Sequence, residues 1–356
     1  MVTRDQVAHG ALDHAELAAR GLRPEDLLDF SSNLNSFGPP AGVRAALAAL
    51  DPAPYPDRGC LRLREGLATL HSCGPGQLLA GNGSNELIHL LARALLRPGE
   101  QALVVGPTFG EYAHASRLAQ AEVAEWRADA GAHFALDIAA LHARVRELRP
   151  RLTWLCAPNN PTGVDVAPAD LRALAAACAA HAGLLVVDRT YHALARAAAP
   201  PDAGPAGRPA GLLELHSLTK SYALAGLRLG YLLGDTGLLA RVGAYQPAWS
   251  VSSAAQAAGL AALADAGFLP RTLPQLWAAS DTLIAGLRGL GLAVWRGALP
   301  FMLARTGDGA TTRAALLDRG YLVRDCASFG LPAWVRVAPR LPGENQRLLA
   351  SWREIA

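Results

Sequence analysis

Residues 212–233 read L-L-E-L-H-S-L-T-K-S-Y-A-L-A-G-L-R-L-G-Y-L-L. Two apolar runs, 212–215 and 227–233, flank a small hydroxyl-rich turn that carries Lys220. Both runs have the composition of buried strands, so the turn sets one lysine at a strand end. An amine held there among apolar residues sheds its proton and becomes a nucleophile.

Upstream, the same rhythm repeats. Apolar runs of strand length fall at 102–105, 123–127, 152–156, 184–188 and 212–217, with helical periodicity at 85–96, 137–148 and 167–182. This alternation predicts an α/β fold: a three-layer, mostly parallel sheet covered by helices on both faces, with its functional groups at the carboxyl ends of the strands. The predicted large domain covers residues 46–249. Residues 1–45, with D-F-S-S-N-L-N-S-F-G-P-P, read as an ordered N-terminal arm that belongs with the small domain. From 250 a long helical stretch runs towards Leu290, with breaks expected near Pro270 and Pro274. Short strands follow near 292–295, 301–305, 321–324 and 334–337, which predicts a smaller α+β domain over 250–356. The Pro- and Gly-rich stretch 200–211 reads as a surface loop.

Composition narrows the function. The chain has 356 residues, 51% of them hydrophobic and only 18% charged, so a sizeable core is expected. The net charge of +3 comes without a dense basic run, which argues against nucleic acid and membrane surfaces as partners. No uncharged apolar stretch reaches the roughly 18 residues of a membrane span, and the N-terminus lacks a signal-peptide pattern, so a cytoplasmic location is expected. The cysteines Cys60, Cys73, Cys156, Cys178 and Cys326 are odd in number and scattered, which predicts reduced, mostly buried thiols and no metal site.

Four further patterns carry chemistry. G-N-G-S-N-E-L-I, residues 81–88, sets glycines and a serine at a helix start, where free N–H groups and the helix dipole favour a phosphate; a plain turn capped by Ser84 is the alternative. P-T-F-G-E-Y, residues 107–112, puts Phe109 at a strand end, as a stacking face or as core. A-P-N-N-P-T-G, residues 157–163, fixes a loop that leaves an asparagine amide free. L-L-V-V-D-R-T-Y, residues 184–191, ends an apolar strand on Asp188, a carboxylate costly to bury without a cationic partner; an aspartate that caps the next helix is the alternative. Together these are the groups needed to hold pyridoxal 5′-phosphate.

On N-P-T-G, on Asp188 with Tyr191 three residues later, and on S-L-T-K with Arg228 eight residues beyond Lys220, the sequence resembles the fold-type I pyridoxal-phosphate enzymes of the aspartate aminotransferase superfamily. The resemblance covers nearly the whole chain. It implies that Lys220 forms a Schiff base with the cofactor and serves as acid and base. Asp188 would keep the pyridine nitrogen protonated, while Asn160 and Tyr191 bond the phenolic oxygen. Gly83, Ser84, Asn85, Ser217, Thr219 and Arg228 would hold the phosphate, and Phe109 would stack on the ring. Tyr55, in P-Y-P-D, would reach the cofactor phosphate of a partner subunit, which implies a homodimer with shared active sites. Arg336 and Arg324 would grip a small anionic amino-acid-like substrate, with Asn33 of the arm beside them.

Within the superfamily, G-N-G-S-N-E-L-I, Y-P-D and A-L-A-G-L-R-L-G look like histidinol-phosphate aminotransferases and threonine-phosphate decarboxylases of cobalamin biosynthesis. His9-Gly10, the arm motif and R-D-C-A-S-F-G-L-P-A-W-V-R-V lean towards the decarboxylases. The expectation is therefore decarboxylation, with transamination as the alternative and a non-catalytic regulatory protein as the remote one. Three departures stand out: Asn85 replaces the usual acidic residue, Arg189-Thr190 replaces Glu-Ala after Asp188, and Pro300 replaces asparagine.

Overall fold

The computed structural model describes residues 10–196 and 209–355. In chain order, β1 (Leu28–Asp29) is followed by β2 (Leu78–Asn82), β3 (Gln101–Gly106), β4 (Glu122–Arg127), β5 (Leu152–Cys156), β6 (Leu184–Asp188), β7 (Leu212–Ser217) and β8 (Leu229–Leu233). Strands β2 to β8 form one seven-stranded sheet in the order β2-β8-β7-β6-β5-β3-β4. All its pairings are parallel except those of β8, which runs antiparallel to both β2 and β7. The expected α/β class and its mostly parallel sheet are both present. The central strands β5 and β8 are buried along their whole length, whereas the edge strand β4 keeps exposed positions.

Side-chain alternation splits the core into two layers. Val186 and Leu213 pack with Leu87, Leu91, Tyr112 and Trp154 on one face. Leu185 and Val187 pack with Leu141, Leu171 and Leu174 on the other. Asp188, two residues beyond Val186, belongs to the Tyr112 and Trp154 side. Strand β2 escapes an apolar-run reading, because L-L-A-G-N is short and merges into the glycine-led start of the helix Gly83–Leu95.

The C-terminal part holds β9 (Ala293–Trp295), β10 (Met302–Arg305), β11 (Tyr321–Leu322), β12 (Arg324–Asp325) and β13 (Trp334–Val337). Four of them make a sheet in the order β12-β13-β10-β9, and β11 pairs instead with β1 of the arm. Phe30 of the arm is buried in the same cluster as Leu283, Val335 and Trp352. Residue 45 falls inside the helix Ala41–Ala48.

The helical stretch after 250 breaks elsewhere than expected. One helix ends at Ala264 and the next spans Phe268–Gly289 with Pro274 inside it. Pro270 falls in that helix's first turn, where an N–H needs no partner, so it starts the helix rather than ending it. Of the cysteines, Cys60, Cys156, Cys178 and Cys326 are buried free thiols, and Cys73 is half-buried. The loop expected at 200–211 lies, up to residue 208, outside the described residues. Among the described residues no helix is long and apolar enough to cross a membrane.

Candidate active site

A cavity of about 480 Å³ opens at the carboxyl ends of β5, β6 and β7. Its walls include Asn33, Ser84, Asn85, Phe109, Asn160 and Asp188, and also Tyr191, Ser217, Thr219, Lys220, Arg228, Arg324 and Arg336. Residues spread over three hundred positions of sequence thus meet in one place. Gly83 stands just behind this wall. Tyr55 does not line the cavity: it is 79% exposed and stacks on Trp249 at 4.7 Å.

Lys220 follows the end of β7, and its carbonyl accepts the Asn35 N–H at 2.9 Å, tying the turn to the arm. Burial first, then the nearby Arg336 and Arg228, pull the ammonium down to about 8. Around it, the Thr219 N–H donates to Ser217 Oγ at 3.1 Å, and the Ser217 hydroxyl donates to the Leu229 carbonyl at 3.3 Å. Arg228 enters β8 with φ +56°, in the left-handed region, and donates to the Ala225 carbonyl at 3.2 Å.

A cradle lies where β2 meets the helix Gly83–Leu95, whose start has no side-chain cap. Gly83 has φ +76°, and a Cβ there would stand 2.7 Å from Arg228 Nη2. Gly230 faces the same turn, and its Cβ would meet the Ser84 nitrogen at 2.7 Å. Glycine at both places lets β8 and the first helical turn close on each other, with amide groups and a guanidinium converging.

Asp188 ends β6 and is 5% exposed. The Tyr112 hydroxyl donates to its Oδ2 at 2.6 Å and the Thr190 N–H to its Oδ1 at 2.7 Å. Burial pushes the carboxyl up, against the pull of those donors and of Lys220. Tyr112 is itself locked, stacked on Trp154 at 5.3 Å, while Trp154 donates to Ser116 Oγ at 3.1 Å. Sequence reasoning passed over Tyr112. The signal was there, in a tyrosine that closes P-T-F-G-E-Y, but only the pairing of faces shows which carboxylate it meets.

Tyr191 accepts a hydrogen bond from Asn33 Nδ2 at 3.3 Å, and burial lifts its phenol to about 12. Arg336 donates to Asn160 Oδ1 and, at 2.5 Å, to the Ser31 carbonyl, while its buried Nε meets no partner among the described residues. Arg324 lies directly across the antiparallel β12–β13 pair from Arg336, and the two are 6% and 5% exposed. Arg324 donates to Ser328 Oγ at 2.7 Å, and an anion bound between the two guanidinium groups would relieve the repulsion of like charges opposed in this way. Gly10 passes close above, where a Cβ would lie 3.3 Å from Arg336 Nη2; His9 is outside the described residues.

A cavity at a parallel sheet's carboxyl edge, with a depressed lysine, a buried carboxylate and an anion cradle, defines a site for a phosphorylated aldehyde cofactor. The family model "Aminotransferase class I and II" matches residues 25–351. Histidinol-phosphate aminotransferase 1 of Thiobacillus denitrificans is 34% identical over 345 residues, covering 96% of this chain and 88% of that protein. The histidinol-phosphate aminotransferase of Symbiobacterium thermophilum is 36% identical, covering 93% and 91%. Among solved structures, aspartate aminotransferase from Thermus thermophilus with maleate aligns with a TM-score of 0.82 at 25% identity, covering 96% of this chain and 94% of that one. Histidinol-phosphate aminotransferase from Sinorhizobium meliloti, in complex with pyridoxal-5′-phosphate, shares the fold with a TM-score of 0.85 at 23% identity, covering 100% and 98%. The chain belongs to the class I and II aminotransferase family, and it is a pyridoxal 5′-phosphate enzyme.

Proposed function

We propose that this enzyme decarboxylates L-threonine O-3-phosphate, with Lys220, Asp188 and Tyr191 as its catalytic residues. The observation that carries the reading is the pair of buried arginines, Arg324 and Arg336, opposed across β12 and β13. Threonine phosphate carries a carboxylate and a phosphate on a short skeleton, so each fork can take one anion. Histidinol phosphate has a phosphate and no carboxylate. Arg336 Nε, buried without a partner among the described residues, and the Arg336 bonds to Asn160 and the Ser31 carbonyl mark the positions a substrate anion would take over. Asn33 would close this subsite from the arm.

The residues present fit the cofactor. The glycines at 83 and 230 leave a cradle that a Cβ would fill, and Arg228 stands over it. Ser84, Asn85, Ser217, Thr219 and Arg228 would hold the phosphate, Phe109 would cover the ring, and Asn160 and Tyr191 would bond its phenolic oxygen. Asp188 would hold the ring nitrogen: its oxygens are bonded by a phenol and an amide, so its charge still lacks the cation that a protonated ring provides. When bound, the cofactor supplies an electron-accepting ring joined to the substrate nitrogen. The two arginines would orient the substrate so that its carboxylate is the group lost, and Lys220 Nζ would return the proton. Tyr55, exposed beside Trp249, would complete the phosphate site of a second subunit in a homodimer.

Transamination of histidinol phosphate is the second reading, supported by the names of relatives at 34% and 36% identity. Incubation with L-threonine O-3-phosphate is expected to release CO₂ and aminopropanol phosphate. Glutamate formed from histidinol phosphate, supplied with 2-oxoglutarate through a coupled half-reaction, and no CO₂ from the threonine ester, would establish the second reading instead.

The depressed Lys220 sets a pH dependence. With the ammonium at about 8, roughly a tenth of the side chain is neutral at pH 7, against well under a thousandth for an ordinary lysine. Capture of pyridoxal phosphate by the apoprotein, followed by stopped-flow absorbance, should quicken about tenfold per pH unit up to about 8 and level off above it. A flat profile between pH 6 and 8 would rule out this view of Lys220.

A further inference from the structure

Thr190 lies two residues beyond Asp188, at the end of β6. It is 8% exposed, lines the cavity, and uses its N–H on Asp188 Oδ1 at 2.7 Å. Its hydroxyl is a different matter. Oγ1 is buried and meets no partner in hydrogen-bond geometry among the described residues. Leaving a buried hydroxyl unpaired is costly, so one placed beside a functional carboxylate calls for a partner.

We propose that Thr190 is a positioning residue whose hydroxyl becomes a further hydrogen-bond donor to the Asp188 carboxylate in the holoenzyme, weakening that carboxylate as a base. A side chain two residues beyond an aspartate, bonded back to it through its own N–H, carries its hydroxyl to the same oxygen by a rotation about χ1. The hydroxyl stands near enough to Asp188 to pull its carboxyl down, yet short of the hydrogen-bond geometry that the Tyr112 hydroxyl and the Thr190 N–H reach. Tyr112 cannot do more, because its single proton is committed and its ring is stacked on Trp154. The inference rests on Asp188 facing the cofactor ring. A more basic Asp188 draws the ring proton towards itself, leaves the ring less positive, and lets the lysine–cofactor linkage keep its proton to higher pH. The charged or titratable groups acting on Asp188 and Lys220 from the surrounding elements are Arg336, Arg228, Asp29, Tyr112, Tyr191 and Cys156. None of them changes in the variants below.

The test is a pH titration of the visible absorption band of the holoenzyme, without substrate, together with the cofactor Kd. Thr190→Val, nearly isosteric, and Thr190→Ala should both move the midpoint upward by about half a pH unit or more, since a charge-assisted hydrogen bond is worth that much to a buried carboxylate. Thr190→Ser should restore the parent midpoint. A purely structural threonine would leave the midpoint in place in all three variants, and that result would overturn the proposal. Asp188→Asn is the reference: if it moves the midpoint and Thr190→Val does not, only the role of Thr190 fails. If Asp188→Asn leaves the midpoint unmoved as well, the placement of Asp188 against the ring fails first. Should Thr190→Val fold poorly by circular dichroism, Thr190→Ala against Thr190→Ser decides the question.

Discussion

Lys220→Ala should abolish the visible band of the bound cofactor and lower turnover by at least about 10⁴-fold, because one side chain supplies both the covalent link and the proton transfer. Proton transfer by a positioned group is worth about 10²–10⁴ on its own, and loss of the link adds to it. The variant should nevertheless fold. In the native state the ammonium is penalised by burial and by Arg336 and Arg228, so its pKa of about 8 lies below the unfolded value of about 10.4. Below pH 8 the native apoprotein therefore carries a cost that the unfolded chain does not, and alanine removes it. The apo form of the variant should be no less stable than the parent at pH 7, and its advantage should shrink as pH rises from about 8 towards about 10.4. Urea titrations of both apoproteins at several pH values measure this directly. A variant that keeps the band and in which borohydride then fixes the cofactor covalently, or a stability gap that widens with pH, would contradict the assignment.

Asp188→Asn is the second large effect, with an expected fall of about 10²–10³-fold in turnover and weaker cofactor retention. The amide fills the same space. Its oxygen accepts the Thr190 N–H, and its NH₂ donates to the Tyr112 oxygen once that hydroxyl turns, so both present contacts survive the change. What disappears is the negative charge. Burial already raises this carboxyl above the ordinary carboxylate range, so without the cofactor the charged form burdens the fold at neutral pH. The apo variant should therefore melt at or above the parent, while the holo variant loses most of the stabilisation that cofactor binding confers. Paired thermal melts with and without pyridoxal phosphate separate the two. A holo variant with parental turnover would remove Asp188 from the catalytic set.

Much of this arrangement is legible in the sequence. The strands β5 and β6 are buried at nearly every position and β7 opens on the same kind of apolar run, so their bounds agree between pattern and structure, and each ends on or is followed by a residue type that an apolar strand does not need. That is why Asn160, Asp188 and Lys220 stood out. Contacts between distant segments were not legible. Arg189 stands in the sequence only as a departure after Asp188, and the structure gives it the Ala157 carbonyl at 3.1 Å, Glu214 at 3.5 Å and Asp165 at 3.8 Å. The segment 321–324 read as one strand, yet it divides between two sheets: Tyr321 and Leu322 pair with the arm, while Arg324 turns to face Arg336. Such choices depend on which partner backbone arrives, and local pattern carries no record of that.

The reversal of β8 has one more consequence. Ser217, Thr219, Lys220 and Arg228 all lie on the single excursion that leaves β7 and returns along its neighbour, closed at its base by the Ser217–Gly230 register. Closing so short a loop costs little entropy, and that cost is met once, by the sheet, for all four groups together. The nucleophile and the anion anchor are thus delivered as one prefabricated cassette. Lengthening the segment between Ser221 and Leu227 would leave every one of these residues in place in the sequence and still uncouple them, because what the hairpin conserves is their mutual distance.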